Sequence, residues 1–232
     1  MKVKFLRTDD IETESLCLLK NYQQQFDWNF SAPIPIEEIV ECQQGIDLRF
    51  ENLELLIGRQ KVLGAIWIED KRIIIDESLD PSSEPKNIGR YRFTVSHELG
   101  HWVLHRSSYL AERVQERLFD KATEPSVICR AGDLQPIEWQ ANSFAGYALM
   151  PRSLVLDAWE QMNGNLRPYL AVDEIADYSE KWSLSQNLTP VVTISRTLAT
   201  EFQVSPQAMQ IRLLGLGLLK LQEDNPVLFN KW

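Results

Sequence analysis

The chain has 232 residues, 44% of them hydrophobic and 25% charged, which is the composition of an ordinary globular protein and excludes a disordered or fibrous chain. Thirty-three acidic residues against 24 basic give a formal net charge of -9, a balance that repels phosphate backbones and argues against direct DNA binding. Cys17, Cys42 and Cys129 are odd in number and unpaired in spacing, so they read as reduced, mostly buried thiols rather than as a disulfide framework or a thiolate cluster.

The first twenty residues carry charges at Lys2, Lys4, Arg7, Asp9, Asp10, Glu12 and Glu14 with no apolar run behind them. That pattern is not a secretory signal, and no stretch approaches the roughly 18 apolar residues of a membrane span. The expectation is a cytoplasmic protein without a membrane partner.

Up to about Ala32 the pattern predicts a helix and a loop. Pro33 and Pro35 punctuate the chain, and IPIEEIVECQQG reads as a short helix ending at Gly45. Between Ile46 and Asp76 the segments LELLI, VLGAIWIE and RIIIDE predict three to four short, mostly antiparallel strands. After the loop ESLDPSSEPKNIG the chain reads as helical. One helix covers YRFTVSHELGHWVLH and is largely wrapped in protein; another is expected around SYLAERVQERL, and a third from about Ile137 to Leu149. Three or four more follow, separated at GNLRP, NLTP and VSP. The expected fold is α+β: a small, mostly antiparallel sheet packed on a helix core, then an all-helical C-terminal region. The expected divisions are an N-terminal extension (1–32), a central domain (33–151) and the helical C-terminal region (152–232).

The chemistry concentrates in His97-Glu98-Leu99-Gly100-His101, which holds two of the three histidines. On a helix, residues four apart differ by about 40° in direction and about 6 Å in height. Two imidazoles so placed can each reach one zinc at about 2 Å, while the intervening glutamate points elsewhere and can act on the water that the metal activates. Glu98 would take a proton as that water attacks a carbonyl and pass it to the leaving amine. A chance match to the pentapeptide is expected in roughly one chain of this size in two hundred.

His105 continues the spacing. It lies about 12 Å along the axis from His97, too far to share an ion. Paired with His101 it would have no base between, so it reads as a residue near the helix C-terminus bonding free carbonyls.

A third ligand is needed, and a carboxylate is expected. Glu112, Glu116, Asp120, Glu124, Asp133 and Glu138 all lie downstream. Glu138 is favoured because it opens EWQANSFAGYALMP. There Ala141 and Ala145 form a small-residue stripe that permits close approach to Gly100, and Asn142 can hydrogen-bond the distal nitrogen of a ligand histidine. An exposed first-turn glutamate, favoured by the helix dipole, fits the spacing equally well.

RFTVSHELGHWVLH followed by EWQANSFAGYALMP resembles the ImmA/IrrE family of metallo-endopeptidases, HExxH zinc peptidases of a gluzincin-like kind. The likeness spans roughly residues 33–151 and includes VLGAIWIEDKRIIIDESLD. It implies His97, His101 and Glu138 as metal ligands and Glu98 as catalytic base. Two imidazoles and a carboxylate suit Zn²⁺, and Mn²⁺ or Fe²⁺ also occupy such sites. The resemblance further implies a protein substrate, a helix-turn-helix transcriptional repressor in a stress-response or mobile-element switch. Two features depart from the family pattern: Tyr147-Ala148 replaces an acidic residue and a leucine, and 36 residues separate His101 from Glu138.

Substrate lying extended across such a metal can add to a sheet edge, and GAIWIE or RIIID would supply that edge. Tyr91, Arg92 and Tyr147 are candidates to stabilise the oxyanion. LATEFQVSPQAMQIRLLGLGLL resembles a helix-turn-helix pair, but Gln207, Gln210, Arg212 and Lys220 are few side chains for reading DNA, so the segment is expected to pack on the peptidase or to help recognise the protein substrate. The rival to an enzyme is a non-catalytic protein-binding or DNA-binding regulator that retains a structural metal site. An intact Glu98 argues against it, since docking has no use for that carboxylate.

Overall fold

A computed structural model of the chain describes residues 4–116, 125–130, 135–182 and 190–222. The chain divides into two compact units, one comprising Met1–Pro151 with Phe202–Val204 and the other Arg152–Glu201 with Ser205–Trp232.

In the first unit, helix α1 (Thr8–Phe26) is followed by a short helix α2 (Ile36–Glu38) that widens into one π-helical turn (Ile39–Gln43). The turn ends at Gly45, whose φ of +62° suits a residue without a Cβ. Strand β1 (Asp47–Glu51), helix α3 (Leu53–Ile57) and the hairpin β2 (Val62–Trp67) and β3 (Arg72–Asp76) follow. The long helix α4 (Ile88–Glu116), strand β4 (Val127–Arg130) and helix α5 (Pro136–Leu149) complete the unit.

The sheet order is β1-β3-β2-β4. β2 pairs antiparallel with β3 and with β4, while β1 runs parallel to β3. The mostly antiparallel sheet is present, with two corrections. LELLI is helix α3, because Asn52 caps it by accepting from the Leu55 N–H at 3.0 Å and Gly58 closes it at φ +70°. The expected edge strands GAIWIE and RIIID are both interior; among the described residues the open edges belong to β1 and β4.

Strand alternation assigns the two sheet faces. Ala65, Trp67 and Ile74 cluster with Leu53, Val62 and Ile57 under α3. On the opposite face Gly64 pairs with Ile75 and Ile66 with Ile73, and that face meets α4. Helix α4 is buried on every side from Thr94 to Trp102 and packs extensively against α5, with α1 lying on both. Arg92 anchors the chain before α2 to α4: its guanidinium donates to the Ile34 carbonyl and pairs with Glu37 at 3.1 Å.

The second unit contains α6 (Arg152–Asn163), α7 (Val172–Trp182), all but the last residue of α8 (Thr193–Phe202) and α9 (Pro206–Gly215). It is not wholly helical, since Tyr169–Leu170 (β5) and Leu219–Lys220 (β6) form a short parallel pair. The α8–α9 connection has the expected helix-turn-helix character: Gln203 turns in the left-handed region and Ser205 caps α9 through the Ala208 N–H at 3.1 Å. No helix among the described residues is long and apolar enough to cross a membrane.

Candidate metal centre

The HExxH helix and the helix opened by Glu138 meet where side chains are smallest. A Cβ built on Gly100 would lie 3.2 Å from the Cα and carbonyl oxygen of Ala141. Backbone-to-backbone contact at that point lets short groups bridge α4 and α5. His97, His101 and Glu138 converge there, all three buried, with one candidate ligand atom from each lying within 4.8 Å of the others.

The Nε2 atoms of His97 and His101 are 3.0 Å apart. Glu138 Oε2 lies 3.2 Å from the first and its Oε1 3.5 Å from the second. The edge of a tetrahedron of ligands about 2 Å from a zinc is about 3.3 Å, and the two imidazole nitrogens and the two oxygens of the Glu138 carboxyl approach one another at close to that spacing. The donor chemistry fits as well, because two imidazole nitrogens and a carboxylate, all buried and facing one another, form a set that a cation satisfies.

Outer partners stand where that arrangement needs them. His97 Nδ1 is 2.9 Å from Asn142 Oδ1 and His101 Nδ1 is 3.0 Å from His105 Nδ1. A hydrogen on each Nδ1 leaves each Nε2 free to ligate. Burial holds His101 down to about 4, so its imidazole is neutral near pH 7.

Glu98 leaves α4 in a different direction, toward β2. A Cβ on Gly64 would lie 2.8 Å from its Oε1. The carboxyl is fully buried and neither oxygen has a hydrogen-bond partner among the described residues. Burial first, and the charge of Glu138 second, raise its pKa well above the usual carboxylate range.

The model of the peptidase M78 family, described as an IrrE N-terminal-like domain, matches residues 43–214. The chain belongs to this family. Its members are metallopeptidases by family assignment, and the matched segment contains the whole His97–Glu138 constellation. No curated protein matches the chain. A solved structure of a Mycobacterium tuberculosis transcriptional regulator aligns over 90% of this chain and 49% of the regulator, at 15% identity and a TM-score of 0.47. The chain thus spans about half the length of that regulator.

The structure brings together the expected residues His97, His101, Glu138 and Asn142, and it corrects the reading of His105. Helix α4 runs on to Glu116, so His105 is no helix end; it is buried, with Nε2 3.3 Å from Gln140 Oε1. Its pKa is lowered, first by burial. Its position four residues beyond His101 was the available signal, masked by the polar Arg106-Ser107-Ser108 that follows. Gln140 and Gly64 had no such signal.

Among the other expectations, Asp120, Glu124 and Asp133 lie outside the described residues, as do the side chains of Glu116 and Cys129. Cys17 and Cys42 are exposed rather than buried, because they sit on the outer faces of α1 and the π-helical turn. Of the oxyanion candidates, Arg92 is committed to Glu37 and Ile34, and Tyr91 stacks on Phe50 at 5.3 Å. Tyr147 lies nine residues past Glu138, on the opposite side of α5.

Proposed function

We propose that this chain is a metal-dependent endopeptidase that works in the cytoplasm on a helix-turn-helix transcriptional repressor, in a stress-response or mobile-element switch. The observation that carries the reading is the convergence of two helical imidazoles and a carboxylate beside a buried, unpartnered Glu98. His97, His101 and Glu138 hold the ion, for which Zn²⁺ best suits two nitrogens and a carboxylate; Mn²⁺ or Fe²⁺ are the alternatives. A divalent ion bound there lowers the pKa of water and polarises a scissile carbonyl.

Glu98 then acts as general base. Burial and the charge of Glu138 raise its affinity for a proton, which favours its taking one from the attacking water. It accepts the proton of the attacking water and returns it to the leaving amine nitrogen, so that the C–N bond breaks and the carboxyl keeps the water's oxygen. Asn142 holds His97 in the required tautomer. Substrate strand addition falls to an open edge, and β4 is the better placed, because it flanks β2, the strand on which Glu98 rests.

The repressor substrate rests on family membership. Direct DNA reading by α9 is disfavoured by its exposed side: Gln210 and Arg212 are buried, leaving Gln207, Ile211 and Leu214 outward. Gln210 is also spent on the backbone at Pro190 and Val192.

The test is cleavage of helix-turn-helix repressors by the zinc-loaded chain and by its Glu98→Gln variant. Zinc retained with cleavage abolished is the expected result. Cleavage that persists in the variant would remove Glu98 as the base, and a wild-type chain that binds zinc without cutting any repressor would favour a docking protein with a structural metal.

A further inference from the structure

A single file of buried polar groups runs outward from the metal centre and ends on a backbone carbonyl. His101 Nδ1 lies 3.0 Å from His105 Nδ1, His105 Nε2 lies 3.3 Å from Gln140 Oε1, and Gln140 Nε2 donates to the Lys4 carbonyl at 3.3 Å. Three of the four groups can be either donor or acceptor at the contacting atom. The fourth cannot: a backbone carbonyl only accepts.

That one fixed group sets the direction of the whole file. Because the Lys4 carbonyl accepts, the Gln140 amide nitrogen faces it and the Gln140 oxygen faces His105. Because that oxygen accepts, His105 carries its hydrogen on Nε2 and presents a lone pair at Nδ1. Because that lone pair accepts, His101 carries its hydrogen on Nδ1. Its Nε2, the atom facing His97 Nε2 and Glu138, is then bare. The reverse polarity would put the hydrogen of His101 on the nitrogen that must ligate.

The segment on which the file ends is itself pinned to the start of α5. Phe5 stacks on Trp139 with ring centroids 5.7 Å apart and planes at 8°. The carbonyl next to Phe5 and the amide next to Trp139 are thereby held in register.

We propose that His105 and Gln140 are positioning residues for the metal centre, and that the N-terminal segment at Lys4–Phe5 sets the tautomer of the ligand His101 through them. The inference rests on the metal centre proposed above. It adds a ligand-orienting histidine one turn beyond the HExxH pair and a route by which the N-terminal segment acts on metal affinity.

The test uses the full chain and measures zinc affinity by competition with a chromogenic chelator, together with the absorption bands of the cobalt-loaded protein and the melting of the metal-free protein. His105→Phe keeps the volume but removes the acceptor, and Gln140→Met removes the group that orients His105. Each is expected to weaken zinc binding 10- to 100-fold and to shift the cobalt bands. His105→Asn, whose amide oxygen can stand near the place of Nδ1, is expected to restore most of the affinity. A packing role alone would lower melting in all three variants and leave affinity and cobalt bands at wild-type values. If His105→Phe does not fold, Gln140→Met decides, and zinc affinity within about twofold of wild type there overturns the proposal. Wild-type protein that fails to bind zinc would instead bring down the metal centre itself.

Discussion

Gly64 on β2 and Glu98 on α4 stand so close that a Cβ on the glycine would lie 2.8 Å from Oε1 of the glutamate. The central strand has its glycine where the buried carboxylate of the metal helix comes to rest. A second close neighbour of that absent atom is Thr94 Cγ2 at 2.7 Å, so the space is closed from two sides.

Gly64→Ala should therefore act on the base more than on the fold. Both clashing atoms belong to side chains, and the Glu98 carboxyl is the one with no hydrogen bond among the described residues to hold it, whereas Thr94 is bonded to the Arg90 carbonyl. Displacement of the carboxyl by about 1 Å is expected to cost about 100-fold in peptide cleavage, with zinc affinity nearly unchanged. A cleavage rate equal to wild type in a folded Gly64→Ala protein would show that Glu98 does not work from this position.

The same buried carboxyl should make stability depend on pH in a recognisable way. Its pKa is raised in the folded chain, by burial first and by Glu138 second. A raised group contributes fully below the unfolded value of about 4.3, and its contribution is lost as pH rises through the folded value. Glu98→Gln has no such loss. In metal-free protein the melting temperatures of variant and wild type should be close near pH 4, with the variant increasingly the more stable toward neutral pH. A difference that stays constant with pH would contradict the burial of an ionisable Glu98.

At the helix crossing, Gly100→Ala should be destabilising. The added carbon meets backbone atoms of Ala141 and the Cβ of Phe144 at 3.2 Å, and backbone cannot swing aside. Overpacking of this kind costs about 1–3 kcal/mol, readable in urea unfolding. A neutral substitution would mean that α4 and α5 can separate without penalty.

Zinc should stabilise the chain through three side chains at once. At free zinc about 100 times the dissociation constant, the expected gain is about 2.7 kcal/mol, and a chelator should reverse it. Glu138→Gln and His97→Gln should each remove most of that gain. Thermal melts of the variants with and without zinc check this, and an undiminished zinc shift in Glu138→Gln would exclude that carboxylate as a ligand.

What the sequence determined by itself is what a few neighbouring residues decide together. The His97–His101 pair follows from the helical repeat, and the π-helical turn's end at Gly45 and the α9 cap at Ser205 follow from local chemistry. Even the misread LELLI carried its answer in Asn52 and Gly58, since a five-residue apolar run fits strand and helix alike until its caps are weighed. Tertiary structure decided the rest. Spacing and resemblance favoured Glu138 from the sequence, but that its carboxyl lies 3.2 Å from His97 Nε2 depends on the approach of Ala141 to Gly100, and the orientation of His101 depends on a carbonyl 97 residues earlier in the chain. The order β1-β3-β2-β4 took the edge away from the two strands that the hairpin made obvious. Local pattern fixes which way a side chain leaves its own helix or strand, whereas what it meets there is set by packing between segments far apart in the chain.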